Sequence, residues 1–126
     1  MLSVSNTTHQ KIPSLPIEDL KIAILGNIYD LSVVFIGDTR SRRLNKQHKN
    51  KDTPASVLSF PLEKDMGEIY LNLTLAKRRA GHYDMNYKQF VGYLLIHGML
   101  HLKGFDHGST MEGHEKKLCQ KFNIPY

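Results

Sequence analysis

Residues 97–107 read HGMLHLKGFDH, a stretch that places three of the chain's seven histidines within eleven residues. His97 and His101 are four positions apart, so on an α-helix they lie on one face, one turn apart. Two imidazoles placed in this way can reach one metal ion at about 2.0–2.1 Å. Gly104 stands where helices commonly end in a left-handed residue, and such a turn returns His107 as a third ligand. The spacing predicts a three-histidine site with an open coordination position, as in catalytic zinc sites.

The same His-x-x-x-His-x-x-Gly-x-x-His spacing is typical of metzincin metalloproteases, but one position differs from their pattern. Gly98 stands where a zinc protease carries its general-base glutamate. Without that carboxylate the peptidase mechanism has no base, so the motif favours zinc-hydrolase chemistry other than peptide hydrolysis. Imidazole ligands suit zinc, although nickel and copper also accept them.

The stretch also resembles the signature of the YbeY family of bacterial metal-dependent endoribonucleases, H-G-x-L-H-L-x-G-[FY]-D-H. Further matches follow in the family's order over essentially the whole chain. They are Leu44-Asn45, PASVLSFP at residues 54–61, GEIYLN from Gly67, Met111 to Glu115, and Pro125-Tyr126. The resemblance implies a zinc-dependent, single-strand-specific endoribonuclease with one zinc ion per chain. It also implies a role in maturing ribosomal RNA, particularly the 16S 3′ end, and in ribosome quality control, with RNA on the ribosome or its small subunit as partner.

Lys49 stands where the family's L-N-x-x-x-R pattern has a functional arginine near the metal. Lysine keeps the charge but lacks the planar fork that binds phosphate bidentately. Either Lys49 serves as a point charge, or Arg42 or Arg43 replaces it, or activity is weakened. An ordinary loop lysine is the remaining interpretation. We take Lys49 as the catalytic candidate.

Four further positions receive separate interpretations: two are departures from the family's pattern, and two are polar residues expected near the site. Ala55 and Ser56 replace the threonine and the Asp or Asn that the family usually shows, which removes polar groups from this loop. Ser59 is expected to be a strand serine bonded to backbone. Asp106 is predicted to support the metal ligands by accepting a hydrogen bond from an imidazole or by fixing the loop, with a catalytic base as the alternative.

Other polar residues near the motif receive structural interpretations. Glu112 and Glu115 are expected to be helix caps or charges on a helix face, with a water-orienting role for Glu112 as the alternative. His48, His82 and His114 lie outside the metal spacing and are expected at the surface.

Charge and composition bound the class of protein. The formal charge of +5 suggests a polyanionic partner. Two basic clusters are candidates for phosphate binding, although solvated helix faces would look the same. The first holds Arg40, Arg42, Arg43, Lys46, Lys49 and Lys51, and the second is Lys77-Arg78-Arg79. The absence of a span of ~18 apolar residues, the absence of a signal peptide at the N-terminus and the single Cys119 predict a cytoplasmic protein without a membrane partner.

Apolar periodicity predicts interleaved strands and helices, hence an α/β fold in a single domain over residues 1–126. We expect a small mixed sheet of about four strands, packed with about five helices, and the metal site on a buried helix. Pro61 argues for an edge position of its strand. The predicted strands are 2–5, 31–36, 57–62 and 68–73. One predicted helix has Pro16 at its first position and runs to about Leu25, with an apolar stripe of Ile17, Leu20, Ile24 and Ile28. A basic helix capped by Asp38 or Thr39 runs to about Lys46. The other predicted helices are 74–82, 86–102, and 111–122, the last capped by Ser109 or Thr110.

Two other functions remain compatible with the sequence. One is a different metal hydrolase, such as a peptidase, which would need a base that Gly98 does not provide. The other is a binding protein that uses the metal for structure and assists ribosome assembly without cutting RNA. The replacement of the family's arginine by Lys49 favours the second of these.

Overall fold

The computed structural model describes residues 1–125, so Tyr126 of the Pro125-Tyr126 match lies outside the described residues. Strands and helices alternate along the chain, as their apolar patterns predict. The strands are β1 (Leu2–Asn6), β2 (Asp30–Ile36), β3 (Val57–Glu63) and β4 (Met66–Asn72). The helices are α1 (Ile17–Leu25), α2 (Asp38–Lys49), α3 (Leu73–Arg79), α4 (Tyr87–Leu102) and α5 (Ser109–Lys121), with a 3-10 turn at Ala80–Tyr83.

The four strands form one mixed sheet in the order β1-β2-β4-β3. β1 and β4 both pair in parallel with β2, whereas β3 pairs antiparallel with β4 at the edge. The pairing of β3 becomes irregular between Pro61 and Glu63. A proline cannot donate to a strand neighbour, so it is tolerated at an edge. The predicted α/β class, with four strands and five helices, is confirmed.

The centre of the core lies between β2, β4 and α4. Leu31, Val33 and Phe35 of β2 are fully buried at alternate positions, and Ile69 and Leu71 of β4 follow the same pattern. This alternation is what a half-buried strand requires, because successive side chains point to opposite faces of the sheet. The sheet therefore gives α4 a continuous apolar surface on which to pack.

α4 is buried along most of its length, with ten of its sixteen residues inaccessible to solvent. Its start is fixed by a capping box: the Asn86 side chain accepts from the Gln89 N–H at 2.8 Å, and the Asn86 N–H donates to Gln89 Oε1 at 2.9 Å. A capped, packed helix leaves its side chains little freedom. The predicted buried helix is confirmed, and it provides a rigid support for His97 and His101.

The structure corrects the start of α2. Gly37 is the N-cap, so neither Asp38 nor Thr39 caps the helix as predicted. The Asp38 carboxylate is instead held by Asn72 Nδ2 at 2.8 Å and Arg78 Nη1 at 2.7 Å. The Arg78 hydrogen bond is the main reason why the pKa of Asp38 lies below its usual value. Contacts with residues distant in sequence therefore fix the Asp38 carboxylate, in place of a capping hydrogen bond to its own helix.

Other boundaries also differ from the predictions. α2 continues to Lys49 rather than about Lys46, and α5 begins at Ser109, with Gly108 as N-cap, so neither Ser109 nor Thr110 caps it. Ile28 lies beyond α1 and is 84% exposed, which removes it from the apolar stripe. Pro16 is the N-cap of α1 rather than its first helical residue, and Cys119 of α5 is completely buried.

No helix within residues 1–125 combines the length and the apolar character needed to cross a membrane.

Candidate metal centre

The fold brings together the three histidines whose spacing suggested a metal site. His97 and His101 are one turn apart on α4, with ring centroids 4.7 Å from each other. His107 follows in the loop after α4, and its ring centroid lies 5.2 Å from that of His97 and 4.7 Å from that of His101. Gly104 makes this return possible with a φ of +109°, a region that residues with a Cβ rarely adopt. One ring nitrogen from each histidine lies within 4.8 Å of the others.

The two histidines on α4 are oriented by hydrogen bonds from their Nδ1 atoms. His97 Nδ1 donates to Glu115 Oε2 at 2.7 Å, and His101 Nδ1 donates to the Phe105 carbonyl oxygen at 2.9 Å. The Phe105 carbonyl can only accept, so His101 Nδ1 carries the hydrogen, and an ionised Glu115 requires the same of His97 Nδ1. Each Nε2 then presents its lone pair, which is the form that binds metal.

The Nε2 atoms of His97 and His101 face each other at 3.1 Å. Two lone pairs at this distance repel unless a cation or a proton lies between them. Two nitrogens bound to one tetrahedral zinc ion at about 2.0–2.1 Å would be about 3.3–3.4 Å apart, close to the observed separation. Burial, followed by the charge of His97, holds the pKa of His101 below its usual value, which favours the neutral, metal-binding imidazole. The three residues therefore fit a transition metal.

The histidines open into a cleft of about 390 Å³. Lys49, at the end of α2, is the one cationic side chain among the described residues that line it. Its charge contributes to lowering the pKa of His101, which is consistent with its position beside the imidazoles. The other lining residues are Val57, Ser59, His97, His101, Asp106 and His107. The cleft thus brings one cationic side chain and three imidazoles to the same space.

Gly98 lies between the histidines in sequence but faces the sheet. A Cβ at this position would lie 3.1 Å from Ser59 Oγ, 3.2 Å from Ile69 Cδ1 and 3.3 Å from Val57 Cγ2. These contacts are tighter than ordinary van der Waals packing, so a larger residue requires the three side chains to give by a few tenths of an ångström. The Ser59 hydroxyl, predicted to bond to backbone, donates to the Gly98 carbonyl at 3.0 Å. The packing at this position therefore disfavours a protease-type glutamate.

Glu115 is the site residue whose part the sequence interpretation missed. It was expected to be a cap or a helix-face charge, yet it is 3% exposed and bonded to His97. Met111, Glu115 and Cys119 are spaced by four and are the buried residues of α5. A carboxylate within the apolar stripe of a helix was the signal that could have identified it.

Asp106 does not accept the hydrogen bonds that orient His97 and His101, because Glu115 and the Phe105 carbonyl occupy those positions. Its side chain is exposed at the edge of the cleft and has no hydrogen-bond or ion-pair partner within residues 1–125. The predicted bond to an imidazole is thus absent for the two ligands on α4. A role for Asp106 at the mouth of the cleft remains a prediction.

Among the basic residues 40–51, some side chains contact partners within the fold and others do not. Arg42 forms a bidentate pair with Asp52, with distances of 2.8 and 3.1 Å, and this pairing lowers the pKa of Asp52. Arg40 lies over the ring of Tyr70, 5.6 Å from its centroid. The other three candidates are exposed and lack a hydrogen bond or ion pair with any residue described in the structure: Arg43, Lys46 and Lys51.

The remaining histidines lie outside the cluster. His48 packs against Phe60 with ring centroids 4.7 Å apart, and His114 packs against Phe105 at 4.6 Å. Both are exposed, as is His82. In the second basic cluster, Arg79 Nη1 donates to Ser56 Oγ at 3.1 Å. Within residues 1–125 no other group of three His, Cys, Asp or Glu side chains converges as the 97/101/107 group does.

Comparison with known proteins gives a consistent result over nearly the whole chain. The sequence model of the family described as Endoribonuclease YbeY matches residues 4–123. A protein named Endoribonuclease YbeY from Campylobacter jejuni (strain RM1221) is 36% identical over 104 residues, which are 76% of this chain and 77% of that protein. Another of that name, from Aliarcobacter butzleri (strain RM4018), is 28% identical and aligns with 99% of this chain and 94% of its own. The solution structure of a Thermotoga maritima protein superposes with a TM-score of 0.68 at 27% identity, covering 97% of this chain and 89% of that chain.

Proposed function

Since the chain belongs to the endoribonuclease YbeY family, we propose that it cleaves single-stranded RNA at the three-histidine cleft. The family and the enzyme class predicted from the motif, a hydrolase, are thereby confirmed. The observation that carries the proposal is the pair of Nε2 atoms facing each other at 3.1 Å beside a third imidazole. This arrangement suits a metal ion bound between the nitrogens, and it opens to a cleft in which a phosphodiester can lie.

We propose that His97, His101 and His107 hold one zinc ion per chain. Zinc bound by three imidazoles supplies a Lewis acid and an activated water at neutral pH. Nickel and copper also accept imidazole, so metal analysis decides the identity of the ion. Glu115 and the Phe105 carbonyl support the proposal by keeping two Nε2 lone pairs directed at each other.

Lys49 is the proposed catalytic cation. A phosphodiester gains negative charge as it is attacked, and a positive group beside the phosphoryl oxygens stabilises that charge. Lys49 lines the cleft, whereas Arg42, which was considered as a substitute, is paired with Asp52 and does not line it. Lysine acts here as a point charge, without the bidentate geometry of the family's arginine.

The RNA backbone would be guided by exposed lysines and arginines near the cleft. Arg43, Lys46 and Lys51 are available for phosphate contacts, because they have no partner within residues 1–125. Arg40 and Arg42 would have to leave Tyr70 and Asp52 first. We therefore expect the salt dependence of RNA binding to come mainly from the three unengaged residues and Lys49.

The proposed biological role follows the family. We propose maturation of ribosomal RNA, including the 16S 3′ end, and ribosome quality control in the cytoplasm, with the ribosome or small subunit as partner. Asp106, exposed at the mouth of the cleft, is proposed to fix the loop that carries His107 or to contact the substrate. We also propose that residues 1–126 form a single domain.

A direct test measures bound metal and cleavage of a single-stranded RNA on the same samples. We expect one metal per chain in the parent, and loss of both metal and cleavage in His97→Ala and His107→Ala. His114→Ala is the matched control, because that histidine is exposed and lies outside the cluster. Retained cleavage in both metal-site variants would overturn the proposal, as would a parent without metal when purified in the absence of chelators.

A second candidate is a metal-stabilised protein that binds RNA and assists ribosome assembly without cutting it. The lysine at position 49, which cannot form an arginine's fork, is the observation that favours it. Lys49→Arg separates the two functions. Increased cleavage in this variant supports the nuclease, whereas metal and RNA binding without cleavage in both parent and variant supports the assembly factor.

A further inference from the structure

Glu115 is a carboxylate in an environment that carboxylates normally avoid. Glu115 is 3% exposed and lies between Met111 and Cys119 on α5, which are also buried. An ionised carboxylate loses much of its hydration on burial, and this cost is offset only by a close partner. Its partner here is the Nδ1 of His97, at 2.7 Å. The burial and the short bond together indicate a defined arrangement rather than a helix-face charge.

The three histidines are held to different degrees. His97 is bonded to a charged acceptor on α5, and His101 to the neutral backbone carbonyl of Phe105. The ring of His107 is exposed and has no hydrogen-bond acceptor among the residues that the structure describes. A charged acceptor makes a stronger hydrogen bond and a more basic imidazole than a carbonyl does. The ring of His97 is therefore held more firmly than the rings of His101 and His107.

The bond also links two helices that pack on each other and are joined in sequence by the loop at residues 103–108. His97 lies on the buried helix α4, and Glu115 lies on α5, eighteen positions further along the chain. A cavity of about 150 Å³ borders the pair. The pair thus lies beside open space, and the hydrogen bond fixes the Glu115 carboxylate relative to the His97 ring.

We propose that Glu115 is a positioning residue that fixes His97 with its Nε2 towards the metal, so that α5 becomes part of the metal site. The inference rests on the proposed function only in that the three histidines bind a metal. It adds that metal affinity depends on the docking of α5, a helix that supplies none of the ligands. Loss of an acceptor of this kind typically costs about 10–100-fold in metal affinity.

The experiment compares Glu115→Leu with Glu18→Leu. Leucine at position 115 removes the hydrogen-bond acceptor, whereas glutamine would keep one in its amide oxygen. Glu18 is an exposed carboxylate in the first turn of α1 and does not line the cavity that borders His97. Zinc affinity is measured by competition with a chromophoric chelator, and folding of the metal-free proteins by circular dichroism. We expect a 10–100-fold loss of affinity in Glu115→Leu, none in Glu18→Leu, and an unchanged metal-free fold in both.

A second measurement needs no variant. In metal-free parent protein, ¹⁵N NMR of the histidine rings reports which nitrogen carries the hydrogen. We expect His97 to be the Nδ1–H tautomer. A predominant Nε2–H tautomer, or an affinity in Glu115→Leu within two-fold of the parent while His97→Ala loses the metal, would overturn the inference. If the parent binds no zinc, the proposed function fails, while the tautomer still decides the part assigned to Glu115.

Discussion

Two adjoining regions carry the candidate metal ligands, and they are built in different ways. α4, with His97 and His101, is capped at its start and buried along most of its length. The loop at residues 103–108, with His107, is exposed at every position except Phe105, which is half-buried. The helix fixes the distance between two nitrogens, whereas the loop brings the third to them. Such a division places two of the candidate ligands on a rigid support and the third on an exposed segment.

The loop is nevertheless tied to the helix at its beginning. The Gly104 N–H donates to the His101 carbonyl at 3.0 Å, and the Phe105 N–H donates to the Leu100 carbonyl at 3.1 Å. His101 Nδ1 donates back to the Phe105 carbonyl. These bonds end two residues before His107. The difference between the regions therefore concerns His107 itself more than the turn that precedes it.

The largest expected effect comes from the core of the helix. Leu95→Ala removes a completely buried side chain of α4 and should lower the free energy of unfolding by about 2–5 kcal/mol. Asp106→Ala in the loop should change it by less than about 0.5 kcal/mol, because that side chain is exposed. Urea unfolding of the metal-free proteins measures both. Equal losses would mean that the loop contributes to the core as much as the helix does.

The same substitution at two ligands should have different effects on the metal-free fold. His97→Ala leaves the Glu115 carboxylate buried without its partner, at a cost of about 1–3 kcal/mol. His107→Ala removes an exposed ring and should cost less than about 0.5 kcal/mol. Urea unfolding in the presence of a chelator tests this. The double variant with Glu115→Gln should recover part of the His97→Ala loss, and a further loss would contradict this explanation.

Backbone conformation gives a smaller difference. Gly104→Ala places a Cβ at a φ of +109° and should cost about 1–2 kcal/mol, although no atom lies within 4 Å of that Cβ. Gly113→Ala is the control, because Gly113 is a helical glycine of α5 with equally open surroundings. That change should stabilise the protein by up to about 1 kcal/mol. Thermal unfolding compares the two, and a neutral Gly104→Ala would show that the loop relaxes freely.

The smallest expected effect is a pH dependence of the free energy of unfolding that arises from Cys119 of α5. Burial, followed by the charge of Glu115, raises the pKa of the Cys119 thiol to about 11. A thiol whose pKa is raised by folding stays protonated in the folded state while the unfolded state ionises. Stability is therefore undiminished below about pH 9 and falls as the pH rises towards 11. Urea unfolding at pH 8 and pH 10 should show a larger fall for the parent than for Cys119→Ala; equal falls would contradict the raised pKa.

The spacing of residues 97–107 was sufficient to predict α4, the turn at Gly104 and the convergence of three histidines, because each depends on local helix geometry. The partners of the histidines were not predictable in that way. Glu115 is eighteen residues from His97, and its role depends on how α5 docks. The Phe105 carbonyl is a backbone group, which no residue type reveals.

The basic residues 40–51 show that prediction from sequence is limited there as well. A run of cations predicts a positive surface but cannot tell which side chains are already engaged. Arg42 is paired with an aspartate ten positions later, and Arg40 packs on Tyr70 of β4. The cap of α2 was mispredicted for a related reason, since Asp38 bonds to residues more than thirty positions away. Long-range contacts decided each of these cases.

The close approach of α4 to the sheet at Gly98 also constrains how such a site can evolve. Two of the four glycine codons are one nucleotide from a glutamate codon, so a single mutation can supply the residue that a peptidase uses as its base. At this position it would place a carboxylate against Ser59, Ile69 and Val57, where even a Cβ is crowded. The three side chains would have to give by a few tenths of an ångström to accommodate it. The packing of one helix on its sheet thus disfavours the single substitution that would bring this histidine triad closer to that of a metzincin.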